Sequence, residues 1–545
     1  MIKIIKHRFI LFAVILFQLS AIDSLSQNIK LFKPNDHIES EKNFYYTDGD
    51  EIMAIKRYDK DLFIQKFSLE ANKEISLKTT SFTDRMAPSE VLEFGGKYLV
   101  FYWEFDTQDR SEDLFYQEID FKSGDLKGKP VEFFSSSLRL EKWRMNKQRF
   151  LLKTSHDNKK LLICYHLQPE TGSRNEPNDK IGFCVFNEDL TIDWNKVVEM
   201  PYERSYMENI DFAVNKDGEV YGLIRVDKDR VSNLVAGALD RADDLRKSLV
   251  LLNKDPNYQR HQILKITKTQ KMYLQTELDA GNIFVSKINI YDGANGGIIC
   301  AGLYNDRWES DEWSGIFMQE VNCNESVSIL KTHPYTKEIL TEYESKKTAN
   351  KRTKKVEKGH GPLRGIKNYS VQPMFDGTSI LIAEQVYISG SLQTSSGSGS
   401  MPPKFYYQDI IVTKTNAQGD LIWMVKIPKN QYAFGSAPSG LSFKYVQIKN
   451  EHFFLFMDDP KNLNLNKEEE PLRHKNIPNG ILASVKLDHQ TGDMSKNSIG
   501  DINILREAGM QIIKMKNVGI ISENQFFIEY SKKDKEDQIS VFTID

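Results

Sequence analysis

The chain has 545 residues, 40% of them hydrophobic and 11% aromatic, with a formal net charge of −3. This is a globular composition, and the balance of charge leaves no overall polarity to mark a nucleic-acid binder. One hydrophobic core stops growing near about 250–300 residues, so a chain of this length splits into domains or repeats a unit. No Pro- or Ser-rich linker separates two halves, which favours repetition.

Residues 1–26 read as a secretory signal peptide. Lys3, Lys6, His7 and Arg8 form a positive start, 9–19 an apolar run, and Ser24 and Ser26 supply small residues before a cut at Gln27. The apolar run is short for a bilayer anchor, the alternative reading. No Cys near the cut offers a site for a lipid. The mature chain, 27–545, is expected to be one domain in the periplasm or secreted, with no transmembrane segment.

From there two series of turn signals alternate. The first comprises Asp48-Gly49-Asp50, Gly95-Gly96, Asp157-Asn158, Asp217-Gly218, Asp292-Gly293, Asp376-Gly377, Asn450-Glu451 and Glu523-Asn524. Many precede a dense apolar run such as 98–103, 161–165, 297–303, 379–383 or 453–457, the pattern of a strand covered on both faces. The second series comprises Ala71-Asn72, Ser123-Gly124-Asp125, Glu188-Asp189, Asn253-Lys254, Asn322-Cys323-Asn324, Ala417-Gln418-Gly419 and Gln490-Thr491-Gly492. Each unit therefore reads strand, tight turn, strand, variable loop, strand, tight turn, strand.

Four-stranded antiparallel units repeated in this way predict an all-β fold, a β-propeller of seven or eight blades. Seven units are complete, and 511–545 lacks a last strand that 29–32 can supply. A pair of β-sandwiches and a β-solenoid are the competing folds.

The segment 409–428, DIIVTKTNAQGDLIWMVKIP, shows the unit best. It resembles the bacterial secreted β-propeller repeat in which a D-x-x-V-x-K strand, a turn with Gly and a strand with Trp follow one another. The matching positions are Asp409, Val412, Lys414, Gly419 and Trp423, with looser matches around 114–131 and 181–198. The resemblance implies the fold and an extracytoplasmic setting, and it brings no catalytic residue.

Insertions interrupt the pattern at 227–249, with helical spacing of Leu234, Ala238, Leu245 and Leu249, and at 335–361. The latter is basic and helical in pattern, with Lys346, Lys347, Lys351, Arg352, Lys354, Lys355 and Lys358 close together. That cluster can suit an anionic surface, but a solvated helix face is the plainer reading. A Ser/Gly-rich stretch, 389–403, reads as mobile, and 461–478 is polar.

No strong catalytic motif, calcium loop or nucleotide loop is present. The histidines are scattered, His166 and His261 in or beside strands, where packing accounts for them. Glu104 with Asp106, or Glu309 with Asp311, can flank a glycosidic bond only if loops bring them together; solvated loop charges are the plainer reading. Cys164, Cys184, Cys300 and Cys323 show no metal-ligand spacing, and no metal or cofactor is expected. Paired in the register that sets Cys164 opposite Cys184, their strands allow a disulfide contributing about 3 kcal/mol; two free buried thiols are the alternative.

The aromatic loops are the stronger lead. Trp103, Arg307, Trp308, Trp313, Tyr406 and Tyr407 all fall at the long connections 104–112, 305–314 and 389–405. Together with 168–180, 227–249, 331–368 and 458–478 these are predicted to open on one rim, while turns of two to four residues open on the other. Exposed aromatics stack on sugars or anchor peptides, though they also cap blade ends as core. The expected function is a non-enzymatic module binding a protein or surface glycan on the long-loop rim, with no nucleic acid. A propeller glycan hydrolase or lyase is the alternative.

Overall fold

Asn416 turns the chain by chelating its own backbone. Its Oδ1 accepts from the N–H groups of Gln418 at 3.0 Å and Asp420 at 2.8 Å, while Gly419 takes φ of +78°. Asn215 does the same with Asp217 and Glu219, beside Gly218 at φ of +76°. Such side-chain mimicry of a backbone turn is why Asn, Asp and Gly punctuate the sequence.

The hairpins assemble into eight four-stranded antiparallel sheets in chain order, an eight-bladed β-propeller. The computed structural model describes residues 29–543 except 84–85, 107–110, 137–139, 142–148, 169–177, 205, 228–258, 271–273, 279–280, 282, 294–295, 307–311, 323, 325, 359–362, 390–401, 436–439, 476–479, 502–511 and 533–534. Blades 1 to 7 occupy 42–81, 86–136, 140–203, 207–277, 284–334, 366–427 and 444–501. Blade 8 takes its inner strands from 512–543 and its last strand from the start of the chain, where Ile29–Leu31 pairs antiparallel with Glu536–Thr543. The 29–32 expectation is met, and the ring has eight blades.

Hydrophobic packing lies between blades. Among the described residues each of the eight blade–blade interfaces around the ring holds one buried cluster. The second strand of each blade is apolar on both faces because successive residues enter different interfaces. In blade 1, Met53 and Ile55 pack toward blade 2, while Ile52 and Ala54 pack toward blade 8. In blade 7, Phe454 and Phe456 face blade 6, and Phe453 and Leu455 face blade 8.

This alternation corrects the cysteine register. Cys164 pairs with Phe183, and Cys184 with Ile163, one residue away from the register that would oppose the thiols. A one-residue slip moves a side chain to the other face. Cys164 therefore packs toward blade 4 and Cys184 toward blade 2, and both are free and buried, as is Cys300.

The innermost strands carry a polar belt. Lys153 Nζ contacts Asp211 Oδ1 at 2.8 Å, Asn289 donates to Asp211 Oδ2 at 3.0 Å, and Tyr369 donates to Asn289, linking blades 3 to 6. The repeat motif is a blade-to-blade lock. In blade 6, Trp423 Nε1 and Lys414 Nζ both donate to the His489 carbonyl of blade 7, at 3.1 and 2.7 Å. Trp194 of blade 3 likewise donates to the Gly218 carbonyl of blade 4 at 2.9 Å.

Two expectations need correction. The outer turn of blade 4 is the connection 267–273, because its third strand is Gln259–Ile266; Asn253-Lys254 lies outside the described residues. Residues 331–334, assigned to a loop, form the outer strand Lys331–Pro334 of blade 5. Helices α1 (Lys337–Thr341) and α2 (Lys346–Glu357) occupy the following connection, as its pattern predicts.

Candidate functional site

The middle strands of blade 6, Ser379–Ser389 and Lys404–Thr415, run past the blade on the long-loop rim. A bulge between Glu384 and Val386 begins this extension. Gln431–Phe434 adds an antiparallel strand to it, and His474–Lys475 from blade 7 adds a parallel one. Its base is fixed by an ion pair between Lys429 and Glu384, 2.8 Å apart and both fully buried. Ser442 Oγ donates to Glu384 at 2.7 Å, and Gln431 Oε1 accepts from Lys429 at 3.1 Å.

The pairing sets three tyrosines in a row. Tyr387 lies opposite Tyr406, and Tyr406 opposite Tyr432, so all three occupy one face of three adjacent strands. Phe434, 56% exposed, belongs to the same face through its pairing with Lys404. The rings of Tyr406 and Tyr432 are 5.2 Å apart, and the Arg473 guanidinium lies 5.5 and 5.4 Å from them. The other face is closed by Phe405, Ala433, Leu441 and Tyr407.

Helix α2 stands across from this face. Ser345 caps it, accepting from Thr348 N–H at 3.4 Å. Glu470 from the blade 7 insertion latches the cap, accepting from Ser345 N–H at 3.2 Å and Thr348 Oγ1 at 2.8 Å. Thr348, Lys351, Arg352 and Lys355 follow the i, i+3, i+4, i+7 spacing of one helix face. That face borders two adjoining cavities that share Thr348 and Arg352.

The first cavity, of 330 Å³, is polar and reaches Glu344, Asp409, Lys429, Glu470 and Arg473. Burial raises the Glu344 carboxyl, Arg352 and Lys426 pull it back, and Asp409 and Glu470 push it up again; the net shift is upward. Lys426 Nζ sits 3.1 Å from Asp409 Oδ2. The second cavity, of 280 Å³, lies between α2, Tyr387 and the small sheet Glu312–Trp313 with Leu363–Arg364.

Among the residues predicted from the sequence, Tyr406 lies on the tyrosine face and Tyr407 directly behind it. Trp313 is 6% exposed and packs in the core between blades 5 and 6, so it is a core residue and offers no surface. Trp103 is half-buried on blade 2, diametrically across the ring, with the Arg149 guanidinium 4.0 Å from its ring. Arg307 and Trp308 lie outside the described residues, as do Glu309, Asp311, the 227–249 insertion beyond Asp227 and most of 389–403. Glu104 pairs in register with Asp113 within blade 2. His166 and His261 are buried in strands, and burial with the charge of Arg225 holds His261 down at about 4. Among the described residues no group of three His, Cys, Asp or Glu is placed to hold a metal ion, and no helix is long and apolar enough to cross a membrane.

Tyr387, Tyr432 and Arg473 were not singled out by the sequence, whereas Arg352 belongs to the basic cluster that it marked. The rim asymmetry is also less complete than the turn signals suggest. Connections 267–273 and 322–330 are long on the tight-turn rim, and 59–60 is short on the other.

No known family matches the chain, and no curated protein matches it in sequence. Solved structures that are similar include the polysaccharide lyase Uly1, at 8% identity and TM-score 0.35 over 94% of this chain and 92% of that one. The Dos1 propeller is 9% identical with TM-score 0.36, over 94% and 95% of the two chains. Prolyl oligopeptidase B from Galerina marginata is 8% identical with TM-score 0.36, and the match covers 96% of this chain but 57% of that enzyme.

Proposed function

We propose that this protein is an extracytoplasmic binding module that takes a glycan on the long-loop rim of blade 6. The observation that carries this reading is the row Tyr387–Tyr406–Tyr432. Strands in a sheet are spaced about 4.8 Å apart, so the row presents aromatic faces at regular steps along a line. Aromatic rings bury the apolar faces of sugars, while their hydroxyls and the neighbouring Arg473 supply polar contacts. A rigid ring of blades holds this surface still, so little conformational freedom is lost on binding.

The test is a glycan array probed with the labelled protein, followed by Tyr406→Ala and Tyr432→Ala on any hit. Loss of more than about tenfold in affinity is expected from each, since aromatic anchors at a binding centre carry about 2 kcal/mol or more. Unchanged binding in both variants, folded by circular dichroism, contradicts the assignment.

The raised carboxyl of Glu344 beside Asp409 favours a second reading, glycan hydrolysis or elimination, in which Glu344 is a proton donor. Turnover of a bound glycan that Glu344→Gln abolishes without weakening binding would establish it.

A further inference from the structure

We infer that the second cavity holds the negatively charged group, carboxylate or sulfate, of an acidic glycan; this rests on the glycan reading above. Its walls bring Lys351, Arg352, Lys355 and Arg364 together around Tyr387. Two of the four cations are already matched, one by a carboxylate of the first cavity and one by a carboxylate of this cavity's own wall. Arg352 pairs with Glu344, and Arg364 Nε lies 2.6 Å from Glu312 Oε1. Lys351 and Lys355 are exposed, and no carboxylate among the described residues pairs with either. One helical turn separates them, so both ammonium groups border the same space.

The later lysines of the run, one in α2 and one at its C-cap, do not share this placement. Lys354 and Lys358 are exposed but border neither cavity. The basic run is therefore divided, one face turned to a concave site and the rest to solvent. Position also matters. Tyr387 ends the tyrosine row and forms part of the cavity wall, its hydroxyl donating to the Arg364 carbonyl at 2.7 Å. A saccharide lying along the row reaches the lysines at that end, and an acidic substituent there meets two unmatched cations. Guanidinium groups held by carboxylates keep their direction, so Arg352 and Arg364 frame the site while the lysines supply net charge.

The experiment compares retention of four probes by the full chain: an oligogalacturonate, a sulfated galactan oligosaccharide, a neutral galactan oligosaccharide and a single-stranded oligonucleotide. Variants are Lys351→Glu with Lys355→Glu, and Lys354→Glu with Lys358→Glu as a charge-matched control on the same helix. The wild type is expected to retain one or both acidic oligosaccharides better than the neutral one. The first pair should weaken that retention about tenfold and the control less than about twofold, with salt reducing the difference. Whichever acidic oligosaccharide is preferred identifies the group as carboxylate or sulfate. Equal retention of neutral and acidic oligosaccharides, unaffected by the first pair but lost with Tyr432→Ala, overturns the charge assignment and leaves the glycan reading standing. Retention of no oligosaccharide, or of the oligonucleotide alone, overturns both.

Discussion

Lys56 and Asp537 meet across the seam of the ring, Nζ to Oδ2 at 2.9 Å, with Glu529 Oε1 2.8 Å from the same ammonium group. All three side chains are buried, and they join blade 1 to blade 8. Tyr45 donates to Glu529 at 2.6 Å, and His37, from the segment that follows the closing strand, contacts Asp537 at 2.7 Å. Burial pulls the Lys56 ammonium down, but the two carboxylates outweigh it and raise its pKa.

Removing that cation strands two buried carboxylates. Lys56→Met is expected to destabilise the fold by about 3–5 kcal/mol. Lys486→Gln, which breaks a half-exposed pair with Glu451, should cost less than about 1 kcal/mol. Chemical denaturation of both variants checks the contrast, and equal costs would remove the seam from the account.

Acid should weaken the protein from about pH 6.5 downward. Burial holds His452 at about 4, assisted by the charge of His489, and His261 is held at the same value. Unfolded histidine takes its proton near 6.5, so from there down to about 4 the unfolded chain binds more protons. Stability falls over that window by about 1.4 kcal/mol per pH unit for each group. Asp292, raised by burial to about 7, acts in the opposite sense: the folded chain keeps its proton from about pH 4 up to 7, so its contribution to stability is lost over that window as pH rises and stays lost above it. Melting curves from pH 4 to 8 should flatten at the acid end in His261→Gln and rise at the alkaline end in Asp292→Asn. A wild-type midpoint constant between pH 6.5 and 4 would contradict these burial effects.

Gly492 serves two demands at once. Its φ of +74° suits a residue without Cβ, and an added Cβ would sit 2.8 Å from the Trp423 ring. Gly49 has φ of +55° but open space around it. Gly49→Ala should cost about 1 kcal/mol and Gly492→Ala about 2 kcal/mol or more. If the two costs are equal in denaturation, the close approach to Trp423 carries no energy.

The thiols give a check on the blade register. Burial pushes Cys184 up to about 12 and Cys164 well above its ordinary value, so neither should react with a thiol reagent in the folded protein. Reducing agent should leave the melting midpoint unchanged. A fall of several degrees would reveal a bond contributing about 3 kcal/mol, and with it a wrong register.

Much of this architecture is written in local chemistry. Asn416, Asp217-Gly218 and Gly492 mark turns because their side chains or missing Cβ atoms make the turn. The dense second strands are readable because each lies between two cores. Register across a long connection is different: nothing near 169–177 fixes whether Cys184 opposes Cys164 or Ile163, and only the packing of two interfaces decides. The site was legible in pieces: the basic cluster of Lys351, Arg352 and Lys355 stands out in the sequence, but not the tyrosine it faces, Tyr387. Tyr406 was visible as an aromatic beside a long loop, whereas Tyr387, Tyr432 and Arg473 join it through strand pairing and an insertion from blade 7. Their shared face exists only in the folded chain.

The central claim is that ligand sits on the blade 6 extension. Amide hydrogen exchange with and without the best-retained oligosaccharide tests it most directly. The account predicts new protection confined to 385–389, 404–409, 430–434 and the 346–358 helix. Protection at 416–420 and 489–493 on the tight-turn rim, with none on the extension, would contradict it.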